Sequence, residues 1–268
     1  MMLKDRTIVI AGVGPGLGEE TARIALREGA KVVLGARGGE RLAAIAKRLS
    51  IELDQDLESA ESRIAFATCD VARDGDPESL IQLAVDRFGA IDGLACVAAR
   101  IDVVGTIETT PIEDWRGVFE TNVIGSVRVI QAAIPALKVR RGAIVLVGSQ
   151  SEVNPEPSPG FIAYGASKSA LHSAMIYMAG QLGPSGIRIN RVVPSTMWTP
   201  TLEGFAEQMA ETQNKSVAEI RTQFEEKMPL GQMPSGADVG EAIAFLLSHR
   251  ARAITGQALF VNSGEWMA

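Results

Sequence analysis

The run Thr7-Ile-Val-Ile-Ala-Gly-Val-Gly-Pro-Gly-Leu-Gly18 carries the fold. Its first five residues are apolar or β-branched without a break, as suits a strand covered on both faces. Glycines follow at 12, 14, 16 and 18, and a helical pattern begins at 18 and runs to 28. Glycines between a strand and a helix let the backbone turn tightly and approach a pyrophosphate, which the helix N-terminus then stabilises. This first β-α turn is therefore a candidate phosphate cradle for a dinucleotide.

Further along, apolar runs at 31–35, 63–68, 91–97, 143–148, 187–192 and 257–261 alternate with helical patterns at 40–49, 77–88, 112–137, 163–182, 217–227 and 237–248. The alternation predicts an α/β fold, a doubly wound parallel sheet of about seven strands flanked by helices. No repeat or linker divides residues 1–268, so a single domain is expected. Segment 50–62 reads as a polar surface excursion, and 154–160, with three prolines, as a loop. Residues 197–228 separate two core elements. They read either as a lid over the site or as an ordinary surface helix pair.

Hydrophobic residues make up 46% of the chain and charged residues 22%, with a formal net charge of −6 and no basic tail. This balance argues against nucleic acid or an anionic membrane as the principal partner. No stretch reaches the ~20 apolar residues of a membrane span. Residues 1–6 lead into the first strand without a signal-like apolar region, so a cytoplasmic location is expected. Two isolated cysteines and two isolated histidines provide no metal-site spacing.

The second apolar run ends in Gly35-Ala36-Arg37. An acid near this point would bind the ribose 2′-hydroxyl of NAD. Arg37 instead suits the 2′-phosphate of NADP(H), through charge-assisted hydrogen bonds. NADP(H) is the preferred expectation. NAD(H) remains open if Arg37 only stacks on the adenine. Asp70-Val71, after the third run, can bind the adenine edge or cap a helix.

Tyr164 and Lys168 stand four apart in Tyr-Gly-Ala-Ser-Lys, on one face of a helix. A free phenol, with a pKa of roughly 10, is a poor base at neutral pH, and a neighbouring ammonium favours its ionised form. The pair thus becomes a candidate proton donor and acceptor.

Together these motifs resemble the short-chain dehydrogenase/reductase family, in its single-domain Rossmann-fold branch, over almost the whole chain. Gly12-Val-Gly-Pro-Gly16-Leu-Gly18 matches that family's Gly-x-x-x-Gly-x-Gly loop, and Tyr164-Gly-Ala-Ser-Lys168 its Tyr-x-x-x-Lys. Asn122, in Phe-Glu-Thr-Asn-Val-Ile-Gly, resembles the catalytic asparagine, and Ser149, ending Ala-Ile-Val-Leu-Val-Gly-Ser, the catalytic serine. Ser151 fits the family's usual serine–tyrosine separation better, but Ser149 ends the apolar run and is preferred. The resemblance implies cofactor contacts at Gly12, Gly16, Leu17, Gly18, Arg37, Asp70, Val71, Ala98, Tyr164, Lys168, Pro194 and Thr199.

It also implies a reversible alcohol–ketone oxidoreductase. Tyr164 would exchange a proton with the substrate oxygen, Ser149 would hold that oxygen, and Lys168 would lower the tyrosine pKa and bind ribose hydroxyls. Asn122 would hold a water that links Lys168 to solvent. Substrate contacts are expected at Phe161, Met197 and Trp198, with Ile162, whose apolar character favours a small hydrophobic or cyclic alcohol or ketone, and at Gln150, which with Glu152 could contact a polar substrate group. The competing reading has Phe161, Met197 and Trp198 packing the lid against the body. A homotetramer or homodimer through the helices at 112–137 and 163–182 is further implied.

Several positions depart from the family's pattern. Cys96-Val-Ala-Ala99 replaces Asn-Asn-Ala-Gly, Ser195 replaces a glycine, and Asn262-Ser263 replaces Asp-Gly. Alternative activities on the same scaffold are an epimerase, a dehydratase, an enoyl reductase or a non-catalytic dinucleotide-binding regulator.

Overall fold

The computed structural model describes residues 1–53, 62–155 and 160–267. Seven strands form one sheet: β1 Thr7–Ala11, β2 Lys31–Ala36, β3 Ile64–Thr68, β4 Gly93–Cys96, β5 Ala143–Val147, β6 Arg188–Pro194 and β7 Ala258–Val261. Their order is β3-β2-β1-β4-β5-β6-β7, and every neighbouring pair is parallel. The apolar runs follow from this burial on both faces. Ile8, Ile10, Val32, Leu34, Val145 and Val192 point to one layer, with helices α1 (Leu17–Arg27), α2 (Gly39–Leu53) and α9 (Gly236–Leu247). Val9, Val33, Leu94, Ile144, Leu146 and Ile189 point to the other, with α3 (Asp76–Phe88), α5 (Gly125–Arg140) and α6 (Ile162–Leu182). The chain order reverses between β1 and β4, and the crevice beyond the strand ends at such a point is where ligands bind in these sheets.

The pattern over 112–137 is not one regular helix. It divides into α4 (Ile112–Phe119), a π-helical turn at Glu120–Ile124 and α5. π-turns of this kind concentrate at functional sites. The fully buried Asn122 sits in the middle of it. The excursion expected from residue 50 begins later, because α2 continues to Leu53. Buried Ser50 donates to the Ala46 carbonyl at 3.0 Å, and Glu52 pairs with Arg23 of α1 at 2.6 Å. Residues 54–61, and 156–159 of the proline-containing segment, lie outside the described residues.

Residues 197–228 form two helices, α7 (Pro200–Gln213) and α8 (Val217–Glu225). They enclose a small core of Ala206, Ala210 and Ile220, with Trp198, Met209, Val217 and Phe224 against it. Thr199 caps α7, and Ser216 with Glu219 forms a capping box on α8. Among the described residues no helix is long and apolar enough to cross a membrane.

Candidate active site

The glycine loop is shaped by close approach. Gly12 has φ +106° and Gly16 φ +101°, where side chains are rarely accommodated. A Cβ on Gly12 would lie 2.1 Å from the Ala98 backbone nitrogen, and one on Gly18 would lie 2.5 Å from the Gly12 carbonyl oxygen. The loop is therefore held against the turn after β4 and against the start of α1. Val97 N and Ala98 N both donate to the Ala11 carbonyl, at 2.8 and 2.9 Å. These backbone bonds tie the turn after β4 to the end of β1. The non-glycine residues at positive φ among those described are Asp5, Arg141, Asn214 and Ser263, so Ala99 lets the turn pass without strain.

The other expected cofactor positions surround this loop. Thr199 Cγ2 would lie 3.7 Å from a Cβ on Gly16, bringing the base of the 197–228 segment beside the cradle. Pro194 ends β6. Arg37 is exposed at the end of β2, with Arg41 exposed close by in α2. Asp70 does not cap α3. Its carboxylate accepts from Ala72 N at 3.0 Å within the turn, while its own N–H donates to Asp76. Asp74 also leaves α3 uncapped and pairs with Arg128. Val71 is buried against Gly125, where a Cβ would lie 2.7 Å from Val71 Cγ2. A nicotinamide dinucleotide fits this set. The cradle has no room for side chains at Gly12 and Gly18, and above Gly14 a Cβ would meet nothing within 4 Å. The N-terminus of α1 opens directly from the loop, and the exposed Arg37 stands at the end of β2.

Beyond the end of β5 three of the four expected catalytic side chains, Ser149, Tyr164 and Lys168, come together. Ser149 follows β5 and caps a short 3₁₀ turn, Gln150–Glu152. Its hydroxyl is 2.8 Å from the Ser151 hydroxyl and lies close enough to the Tyr164 phenol to favour the ionised form. Of the two serines, Ser149 is the one whose hydroxyl acts on the phenol. Lys168 Nζ is 5.5 Å from the centre of the Tyr164 ring and donates to the Val147 carbonyl at 2.7 Å. Burial dominates both groups. It pushes the phenol up to about 12, and the ammonium, only 3% exposed, down to about 8. The expected lowering of the tyrosine pKa by Lys168 does not emerge in the protein alone: burial and the Glu152 charge raise the phenol, and only the Ser149 hydroxyl lowers it.

Asn122 is engaged on three sides. Its Oδ1 accepts from Arg100 N at 2.7 Å, and its Nδ2 donates to the Arg100 carbonyl at 3.1 Å and to Ser167 Oγ at 2.9 Å. Ser126 donates to its backbone carbonyl at 2.8 Å. The residue clamps the π-turn to the loop after β4 and to α6.

The expected substrate contacts are distributed differently. Gln150 is buried at 7% exposure, and its carbonyl accepts from Asn262 at 3.0 Å, so it ties the 3₁₀ turn to the segment after β7. Met197 packs on the main core. Trp198 belongs to the small core of the 197–228 helices, with the Arg221 guanidinium 5.1 Å from its ring. Phe161 remains exposed and bridges to Gly105 just before α6. Sequence reasoning did not single out Arg191, which forms a buried ion pair with Glu152. The signal was available: Ile187-Arg-Ile-Asn-Arg-Val-Val places a charge in the middle of an apolar strand, and a buried charge needs a partner.

A glycine cradle at the switch point of a parallel sheet, beside a buried tyrosine–lysine pair and a serine, defines a nicotinamide-dependent alcohol–carbonyl oxidoreductase. A family model described as enoyl-(acyl carrier protein) reductase matches residues 12–265. The chain is 32% identical to an L-rhamnose 1-dehydrogenase (NAD(P)(+)) of Azotobacter vinelandii, covering 98% of each chain. It is 31% identical to 3beta-hydroxysteroid dehydrogenase 1 of Eggerthella lenta, over 98% of this chain and 94% of that one. A solved short-chain type dehydrogenase/reductase from Mycobacterium ulcerans superimposes with a TM-score of 0.87 at 25% identity, covering 99% of this chain and 91% of that one. The chain belongs to the short-chain dehydrogenase/reductase family, as an NAD(P)-dependent oxidoreductase acting on CH–OH donors.

Proposed function

We propose that the protein interconverts a secondary alcohol and a ketone on a small hydrophobic or cyclic substrate, with NADP(H) as the preferred cofactor. The observation that carries this reading is the meeting of Ser149, Tyr164 and Lys168 beyond the end of β5. The cofactor, when bound, exchanges hydride with the substrate carbon, and its oxidised ring adds a positive charge that favours the phenolate.

In reduction Tyr164 donates its phenolic proton to the developing alkoxide, and in oxidation it accepts the alcohol proton. Ser149 holds the same oxygen and keeps it against the phenol. Lys168 hydrogen-bonds ribose hydroxyls and offsets the negative phenolate. Asn122 fixes the π-turn behind Lys168, where its carbonyl can carry a water to the ammonium. Arg37 recognises the 2′-phosphate. Gly12, Gly16, Leu17, Gly18, Asp70, Val71, Ala98, Pro194 and Thr199 contact the rest of the cofactor.

The domain is single, with residues 197–228 as its lid. The exposed apolar residues Phe161, Ile162, Phe205 and Leu230 support an apolar substrate face near that lid. The two named relatives act on a sugar and on a steroid, which leaves both polar and apolar ring alcohols in the substrate class. Exposed Ile112 and Ile124, with Ile176 and Tyr177 on α6, support a homotetramer or homodimer through these helices. A cytoplasmic location fits a chain that uses no disulfide and a diffusible cofactor.

Tyr164→Phe tests the mechanism. It removes the exchangeable proton and leaves the cradle unchanged, so turnover should fall to background while cofactor affinity stays within about twofold. Absorbance of reduced cofactor, followed over a panel of ring alcohols and ketones, is the readout. Turnover at the wild-type rate in that variant would refute the assignment.

A further inference from the structure

We propose that Glu152, clamped by Arg191, is a positioning residue that sets the protonation of Lys168 and Tyr164 through its negative charge. The inference rests on the proton-transfer roles given above and adds a residue to them. Glu152 ends the 3₁₀ turn that begins after Ser149, and its side chain is 1% exposed. A Cβ on Gly148 would lie 2.9 Å from Glu152 Oε1, so the carboxylate lies directly behind the end of β5. Arg191 reaches it from the middle of β6, from a position paired with Leu146 of β5, and is itself 4% exposed. Lys168 Nζ donates to the carbonyl of Val147, the residue just before Gly148, so carboxylate and ammonium share the buried end of β5, where charges act with little screening.

The charged and titratable groups around it are few. Arg191 faces Glu152 from β6, Lys168 acts on it from α6, and Tyr164, also on α6, senses its charge. His172, one turn further along α6, senses Arg191, and Cys96 of β4 senses Lys168. Burial pushes Glu152 up to about 7, against the pull of Arg191, Lys168 and a backbone hydrogen bond from Ser149. Its charge raises the pKa of both Lys168 and Tyr164. Arg191 acts on neither directly, so its part is to keep Glu152 ionised and in place.

A negative charge raises the pKa of every neighbour, so its removal must move both neighbours the same way. Glu152→Gln is therefore expected to shift the Tyr164 and Lys168 titrations together toward lower pH, each on the order of one unit. The chain has two tyrosines, and Tyr177 is exposed on the far part of α6, so Tyr177→Phe leaves Tyr164 as the only phenol to observe. NMR of tyrosine labelled with ¹³C at Cζ, recorded in that background with oxidised cofactor bound, reads the Tyr164 titration without any substrate. Both limbs of the pH–rate profile for alcohol oxidation should move down by a similar amount.

Arg191→Met should have the same effect as Glu152→Gln, because an unpartnered Glu152 takes up a proton. The double variant Glu152→Gln/Arg191→Met should shift no further than either single one. If a single variant fails to fold because it leaves one buried charge alone, the double variant, which leaves none, supplies the same measurement. A Tyr164 titration within 0.2 unit, roughly the precision of such a curve, of the wild-type value in a folded variant lacking Glu152 would overturn the proposal. A purely structural pair would lower the melting temperature without moving either titration. Activity surviving in Tyr164→Phe would defeat the catalytic reading while leaving the NMR result to stand or fall separately.

Discussion

Replacing Gly12 by alanine puts the geometry of the cradle to a quantitative test. At φ +106° an L-residue costs about 1–2 kcal/mol relative to glycine. The new Cβ would also sit 2.1 Å from Ala98 N and 2.4 Å from Ala98 Cα, where ordinary contact begins at 3.4 Å. Both atoms are backbone, so no side-chain rotation relieves the overlap and the turn itself must move. That movement pulls Ala98 N from the Ala11 carbonyl, at about 1 kcal/mol for a backbone hydrogen bond. The sum is about 2–3 kcal/mol, equivalent to a fall in melting temperature of roughly 4–12 °C for a domain of this size. Cofactor affinity should fall at least about tenfold, since a cradle displaced by an ångström loses at least one bond.

Gly14→Ala is the control, because its Cβ would meet nothing within 4 Å and its φ is not positive. It should stay within about 0.5 kcal/mol of wild type. Thermal unfolding of the cofactor-free protein, with calorimetric titration of NADP and NAD, measures both effects. If, without cofactor, Gly12→Ala melted with the wild type, or Gly14→Ala melted as low as Gly12→Ala, the argument from close approach would be refuted.

Three further outcomes follow from the site. Arg37→Ala should raise KM for NADP about tenfold or more and leave KM for NAD nearly unchanged; a wild-type protein that prefers NAD, or an Arg37→Ala that alters both equally, would remove the 2′-phosphate role. Ser149→Ala should abolish turnover and Ser151→Ala reduce it only modestly, since the hydroxyl on Tyr164 belongs to Ser149; the opposite order in steady-state rates would reassign the serine. Lys168 titrates in the folded chain at about 8, below the 10.5 of a free lysine. The unfolded chain therefore binds more protons between those values, and stability rises with pH across that window. Lys168→Met should accordingly unfold at higher denaturant concentration than wild type at pH 7, with the gap closing above about pH 10; a gap that widens with pH would contradict the burial cost.

The layered fold was open to reading because it depends on short-range chemistry. A strand covered on both faces must be apolar throughout, and a turn that touches a neighbouring backbone must be glycine. The runs at 7–11 and 143–148, and the loop from Gly12 to Gly18, state both conditions directly. The tyrosine–lysine pair was legible for the same reason, since helical spacing alone puts the two on one face. Boundaries were less so. The π-turn at Glu120–Ile124 interrupts a pattern that looks continuous, because Asn122 is drawn to Arg100 and Ser167 by hydrogen bonds that no local period records.

The long-range pairings were not legible. Gln150 stands beside the catalytic serine in the chain, yet its carbonyl is taken by Asn262 across the ends of β5 and β7. Trp198, which the chain offers either as a substrate wall or as packing for the lid, lies half-buried against the small core of α7 and α8. Glu152 and Arg191 are 39 residues apart in the chain, and only the pairing of β5 with β6 makes them partners. Which groups can serve as acid, base and phosphate cradle is a property of residue type and spacing, and the chain carries it openly. Which of them are ionised is set by burial and by charges arriving from distant strands, so the pKa values of Tyr164 and Lys168 came from the assembled sheet.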